Sequence, residues 1–558
     1  IDSIKVHSLS GINSGASIIL VMPKKNADLT KICKIILEEL EQFYRFGINE
    51  LELKDHKKEL IFFYRYSFEY VESLAASLGC EEILTAYENL FKYPDIIEKI
   101  NNSKLNQIIS KYFNKNHLYI FHYGNRKFDK TEVKKRLDLV DKKISKITFK
   151  KNFYETRLDN GMKVLLKKVY GKPTIGISLS YEVSQLNESK SNRGLNLLTS
   201  GLMLYGNEKR NYQQFLNYCT SNGINFGITP QSETTSVKLK CFKEMLPMSL
   251  ELLSEVALTP VFPSDFFHNL QQSYSSNLDR VKDYPNHYAA KLWKEMIFGK
   301  QSNIIDRTGS KTSLKKISLT QIKNWYKNFY HPGNMSLSIV GDFNFEEVLK
   351  SFEKLFVSNI KSGKISVQKP IIESLKNRKK RTLKKMDQSV INIGGFGCTA
   401  METQKNTAFH ILAQIIGGDT NSILFNELRE KRGLAYFVEF NFHSIRSLGF
   451  WVASAIVDKK RESEAINMIH TVLQDIKKNG IQNRDLEKTK NYIRGQRLME
   501  EESMLNQAHT LSVLESIGFG YEYYLKWEER LNKVNLKALQ NIAEEYFNES
   551  EYFVHVLS

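Results

Sequence analysis

The 558-residue chain is poor in cysteine and has no long apolar run. Its five cysteines (Cys33, Cys80, Cys219, Cys241 and Cys398) are odd in number and scattered, and none are spaced C-x-x-C. This excludes a zinc ribbon and a disulfide framework, and the residues read as buried free thiols. No apolar stretch approaches about 18 residues, so no membrane-spanning helix is expected. No secretory signal is visible. Gly309-Ser310-Lys311-Thr312 is similar to part of a phosphate-binding loop but lacks the upstream Gly and the Gly-Lys pairing, so it carries no assignment. His56 and Glu59 stand three apart, yet Leu60 follows, and the metal-binding pattern is incomplete. His117, His122 and His331 fall at strand or loop positions and read as structural.

Acidic residues are scarce in two stretches, and these hold nearly all of the +18 net charge. Residues 125–151 contain 11 Lys/Arg against 4 Asp/Glu, and residues 361–386 contain 10 against 1. The excesses are +7 and +9, leaving the rest of the chain nearly neutral. Charge runs of this kind read as solvated connectors. They could also steer acidic peptides or meet an acidic partner. A nucleic-acid face would be built into a folded module with interleaved aromatics, so no nucleic-acid partner is expected.

Helical and strand patterns are mixed. Asp28 can cap a helix running to about Phe46, with Ile32, Ile35, Ile36, Leu40 and Phe43 as its apolar stripe. Gly47 ends it, and a second helix is expected from Asn49 beyond Phe63. Strands are expected at Ser17–Val21, Thr174–Tyr181, Val237–Cys241, Ser336–Val340, Val390–Gly394 and Gly449–Ala455. Strand runs followed by long helical runs predict an α+β fold, with helices covering one face of mainly antiparallel sheets.

One pattern recurs at a fixed spacing. Lys111-Tyr112-Phe113-Asn114 leads through His117–Phe121 to Gly124. Asn328-Phe329-Tyr330 leads through Met335–Val340 to Gly341, and Glu545-Tyr546-Phe547-Asn548 leads into Tyr552–Leu557. Aligned aromatics give 329 − 112 = 217 and 546 − 329 = 217, and the glycines give 341 − 124 = 217. Gly47-Ile48 and Gly480-Ile481 correspond at 480 − 47 = 433. A period this long indicates a duplicated domain. The expected organisation is the end of one copy at 1–128, a basic linker at 129–151, a full copy at 152–360, a second basic linker at 361–385, and another copy at 386–558. On this reading the chain belongs to a longer protein whose remaining portion carries the first unit.

Four segments carry a resemblance to a known family. Gly194–Arg210, GLNLLTSGLMLYGNEKR, resembles the helix of pitrilysin/insulinase-type zinc peptidases, where similar ends bracket an inverted zinc motif, H-x-x-E-H. Leu158–Leu166, with its Asn160-Gly161 hairpin signal, resembles the opening strand–turn–strand of such a unit. His331–Gly341 resembles the loop and strand closing the unit's first domain, and Leu428–Tyr436 resembles a segment early in its second domain. Together they cover roughly residues 152–558 and imply repeated two-layer domains forming half of a metallopeptidase clamshell.

The resemblance also locates what is missing. Leu197 and Gly201 stand where the family has its two His ligands, and Ser200 stands where it has the catalytic Glu. The third ligand, a Glu, projects onto Asn277. Leu and Gly cannot ligate zinc, so this chain is expected to hold no cofactor, with zinc in a missing N-terminal half. That catalytic half, attached or separate, and a peptide substrate are the implied partners. The family also implies that Arg429 holds the substrate backbone and that the Tyr436 hydroxyl stabilises the oxyanion formed as water attacks the peptide carbonyl. Gly417-Gly418 resembles a turn with a packing role. The implied function is the zinc-free half of an endopeptidase; a noncatalytic scaffold or peptide-binding subunit, or a receptor with no active partner, are the other readings.

Overall fold

The computed structural model describes residues 3–10, 15–22, 32, 36, 50–84, 86–101, 104–105, 151–158, 160–300, 302–356, 369–372, 378–384 and 386–558. Most of the Asp28–Phe46 stretch, Gly47-Ile48, the Lys111–Gly124 stretch and most of both basic connectors lie outside them. Residues 1–149 with 216–225 form one unit, and residues 150–215 with 226–558 form another.

In the first unit, β1 (Ser3–Ser10) pairs antiparallel with β2 (Gly15–Met22). The helix expected after Gly47 is present at Glu50–Ser67 and is followed by helix Val71–Leu84. Leu53, Phe62, Leu90 and Ile97 are buried there, and the Tyr64 ring stacks on Tyr93 at 4.1 Å.

The second unit contains two sheets. The first comprises β3 (Lys151–Arg157), β4 (Lys163–Val169), β5 (Thr174–Tyr181), β6 (Asn225–Pro230), β7 (Thr235–Phe242) and β8 (Met335–Gly341), ordered β3-β4-β8-β5-β7-β6. The second comprises β9 (Lys379–Thr382), β10 (Gln388–Gly397), β11 (Ala435–Ile445), β12 (Leu448–Asp458) and β13 (Phe553–Leu557), ordered β11-β12-β10-β13-β9. Read from the other end, β9-β13-β10-β12-β11 has the connectivity of β4-β8-β5-β7-β6. In both sheets the first of these pairs is parallel and the next is antiparallel. All six expected strands are present; Thr174–Tyr181 has the bounds read, and the other five are slightly longer.

Two local readings change. The Asn160-Gly161 pair does not form the two centre residues of a tight turn. The Gly161 N–H donates to the Leu158 carbonyl at 2.8 Å, so Gly161, at φ 89°, is the fourth turn residue and the loop is longer. Lys379–Thr382, read from its charge as part of a connector, is strand β9. There Arg381 reaches the buried carboxylate of Glu462 and the Ser558 hydroxyl. Opposite charge on a neighbouring helix holds a strand that has almost no apolar residues of its own.

Helices cover both faces of each sheet, and one face in each case receives a helix from the other half of the unit. Helix Met504–Ser516, which follows the second sheet's strands, lies on β5 and β8, and helix Pro285–Phe298 lies on β10 and β13. The exchange is written in the strands. On β5, Ile175, Ile177 and Leu179 face the apolar side, while Gly176, Ser178 and Ser180 face the incoming helix. Ser512 bonds both Ser178 and Ser180 at 2.8 Å, and His509 Nδ1 lies 3.4 Å from the Ser178 hydroxyl. On the other side, the Trp293 indole N–H donates to the Phe553 carbonyl at 2.9 Å. Arg446, in the β11–β12 turn, adds ion pairs to Glu182 at 2.7 Å and Glu233 at 2.9 Å. These buried polar contacts fix where the two sheets meet.

Among the described cysteines, Cys219, Cys241 and Cys398 are buried, whereas Cys80 is exposed, contrary to its reading as a buried thiol.

Candidate functional site

Helix Leu195–Leu202 carries the residues at the zinc-motif positions. Its start is held by Glu188, whose buried carboxylate accepts from the Gly194 and Asn196 N–H groups at 2.9 and 2.7 Å. Asn196 is held at both ends of its amide: the NH2 donates to Thr235 at 2.9 Å, and the oxygen accepts from Trp325 at 3.1 Å and Tyr330 at 2.8 Å. The helix is therefore firmly positioned, but nothing on it offers a ligand. The buried Ser200 hydroxyl donates to the Leu197 carbonyl at 3.1 Å, inside its own helix.

The place beside Gly201 is filled. A Cβ at Gly201 would stand 2.8 Å from both the Tyr274 hydroxyl and Leu270 Cδ2, on the packed helix Ser264–Arg280. Burial raises the Tyr274 hydroxyl to about 12, so it stays protonated at neutral pH. One turn further along, the Asn277 side chain accepts from the Arg280 guanidinium. These residues do not fit a zinc ion. Nor do three or more His, Cys, Asp or Glu side chains converge on a possible metal site anywhere among the described residues.

Arg429 and Tyr436 are brought together differently from a free substrate clamp. Arg429 lies on a short π-helical turn, Phe425–Glu430. Its Nη1 donates to the Tyr436 backbone carbonyl at 3.1 Å, and its guanidinium lies over the Phe425 ring at 5.1 Å. The pairing of β11 with β12 shifts between Ala435 and Phe437, so Tyr436 is the extra residue of a β-bulge. The bulge breaks the alternation of the strand: Tyr436 and Phe437 are both turned out, 62% and 40% exposed. Bulges re-aim side chains, and this one lies on the edge strand of the second sheet. Gly417 has a packing role, since a Cβ there would meet the Phe440 backbone nitrogen at 2.4 Å.

Residues 163–304 match the family model described as Insulinase (Peptidase family M16), and residues 316–493 match the Peptidase M16 inactive domain. An uncharacterized zinc protease of Rickettsia bellii is 23% identical over 401 residues, covering 70% of this chain and 93% of that protein. A Helicobacter pylori protein called a non-peptidase homolog is 18% identical over 372 residues, covering 65% and 84%. The crystal structure of a peptidase M16 inactive domain from Pseudomonas fluorescens matches with a TM-score of 0.67 at 18% identity, over 73% of this chain and 97% of that one. The chain belongs to the insulinase (M16) peptidase family, and it is a noncatalytic member. No described helix is long and apolar enough to cross a membrane.

Sequence reading found the emptied zinc helix but missed Tyr274, the residue that fills the space. A tyrosine three residues before the projected ligand position was the available signal. The Arg446 clamp and the bulge at Tyr436 had none, since both depend on pairing between distant segments.

Proposed function

We propose that this chain is the substrate-handling half of a two-part zinc endopeptidase. A zinc-bearing unit, in the same polypeptide or a separate chain, supplies the metal and the water-activating Glu. This half closes the chamber around peptides or unfolded polypeptides and presents Tyr436 to the reacting carbonyl. The observation that supports this best is the bulge at Tyr436, which turns its ring outward from an edge strand while Arg429 holds the bulged carbonyl. An edge strand can also take up a peptide as an added strand, gripping backbone rather than sequence. Within this proposal, 152–360 and 386–558 are two copies of one domain, which the matching strand orders support, and 1–128 is the end of a preceding copy.

The test is kinetic, with the zinc-bearing unit present. Tyr436→Phe removes one hydroxyl, and turnover should fall by roughly 10²–10³ with little change in peptide affinity. Arg429→Ala should lower both, and Tyr492→Phe, on an exposed helix, should change neither. Full activity in both Tyr436→Phe and Arg429→Ala would overturn the proposal.

A second reading, a scaffold or peptide-binding subunit, is favoured by one contact: Arg429 is already engaged with the chain's own carbonyl. On that reading Arg429→Ala alters stability of the bulge and leaves catalysis by the partner intact.

A further inference from the structure

Beside the start of helix Leu195–Leu202 is a cavity of about 230 Å³, open on one side. Arg193, Lys282, Lys291, Lys300 and Lys311 line it, together with the carboxylates of Asp279 and Glu295. These residues come from four separate stretches of the second unit, so no sequence motif announces them. Part of the charge is balanced locally. Lys311 pairs with Asp279, and Lys291 lies 3.4 Å from Asp306. Lys282 and Lys300 have no acidic partner among the described residues, and Arg193 is 7% exposed. Arg193 Nη1 donates to the Lys300 carbonyl at 3.3 Å, while its buried Nε finds no partner among the described residues.

A buried guanidinium N–H without an acceptor is unfavourable by the full desolvation of that group. Burial pulls the Arg193 pKa down, and the nearby Glu188, Asp306 and Glu295 only partly offset it. Glu188 does not line the cavity; both its oxygens are taken by backbone N–H groups. Within the cavity, Arg193, Lys282 and Lys300 therefore face Glu295 alone, an excess of 3 − 1 = 2 positive charges. A single carboxylate leaves one of these charges unmatched, whereas a phosphate dianion matches both. Arginine forks and lysine point charges are the usual donors to phosphate oxygens.

We propose that this cavity binds a phosphate group, with the Arg193 guanidinium at its inner wall and Lys282 and Lys300 closing on it from the rim. The group belongs either to free phosphate or pyrophosphate or to a nucleotide, and the ligand chemistry is the same. The site is separate from the Tyr436 edge strand and does not depend on the peptidase reading. Gly309-Ser310-Lys311-Thr312 borders the cavity without acting as a phosphate loop, because the Ser310 hydroxyl is occupied in capping its own short helix.

The test is isothermal titration of the purified chain with orthophosphate, pyrophosphate and ATP, sodium chloride holding the ionic strength constant. Saturable binding is expected, and Lys282→Gln/Lys300→Gln should weaken it by about tenfold or more. Both lysines are on the surface, so this variant should fold as the parent does; Arg193→Gln should abolish binding, with its fold checked by its unfolding curve. Lys323→Gln, an exposed lysine outside the cavity, should bind as the parent does. Comparable affinity for pyrophosphate and ATP identifies free phosphates as the ligand, and much tighter ATP binding identifies a nucleotide. No saturable binding of any of the three at about 10 mM, or equal binding by the double lysine variant, would overturn the proposal.

Discussion

At Gly201, which the family resemblance sets against a His ligand, the structure has a packing contact. Its missing side chain is what allows the Tyr274 hydroxyl to lie against helix Leu195–Leu202. Restoring one ligand therefore cannot restore a site: Gly201→His meets Tyr274 and Leu270 before it meets any metal. The double substitution Leu197→His/Gly201→His should take up no stoichiometric zinc, because Asn277 still lacks the third ligand's carboxylate and Tyr274 and Leu270 fill the space beside residue 201, and elemental analysis checks this. The loss of ligands was legible in the sequence, since residue types alone show that Leu and Gly cannot bind zinc. The occupant of the space was not, because it sits on a helix about 70 residues away and only packing brings it there.

At the scale of elements, one glycine in a central strand of each sheet admits the exchanged helix. A Cβ at Gly176 would stand 2.3 Å from the backbone of Met504 and Leu505, and one at Gly394 would stand 2.5 Å from the Trp293 ring. The first contact is with backbone, which cannot rotate away. Gly176→Ala should destabilise the protein by about 1–3 kcal/mol in chemical denaturation, as overpacking does. Gly227→Ala has open space around it and should fall within about 0.5 kcal/mol of the parent. Strands such as Thr174–Tyr181 were readable because apolar residues alternate along them. β9 was not, because its Lys-Lys-Arg sequence is held by pairing with β13 and by Glu462 rather than by apolar burial. The helix exchange was also hidden: apolar periodicity shows that a helix is buried, not which sheet buries it.

Across the whole molecule, the half-buried His509 and the buried His555 make stability depend on acid. Burial lowers His509 and His555 to about 4, each from an ordinary value of 6.5. Between those values the unfolded chain binds more protons than the folded one. Their contribution is therefore complete above about 6.5 and is lost as pH falls through about 4. Thermal unfolding should show Tm falling across that window, and His509→Gln, beside Gln231 and Ser178, should flatten part of the fall. A Tm independent of pH over that range would contradict the burial of these rings. The central claim, a noncatalytic half that works only with a zinc-bearing partner, is tested most directly by measuring zinc content and peptide cleavage on the same preparations. The account predicts that this chain alone carries no stoichiometric zinc and cleaves no peptide, and that cleavage appears when the zinc-bearing unit is added. One tightly held zinc per purified chain, with cleavage lost on mutating residues 197–201, would contradict it.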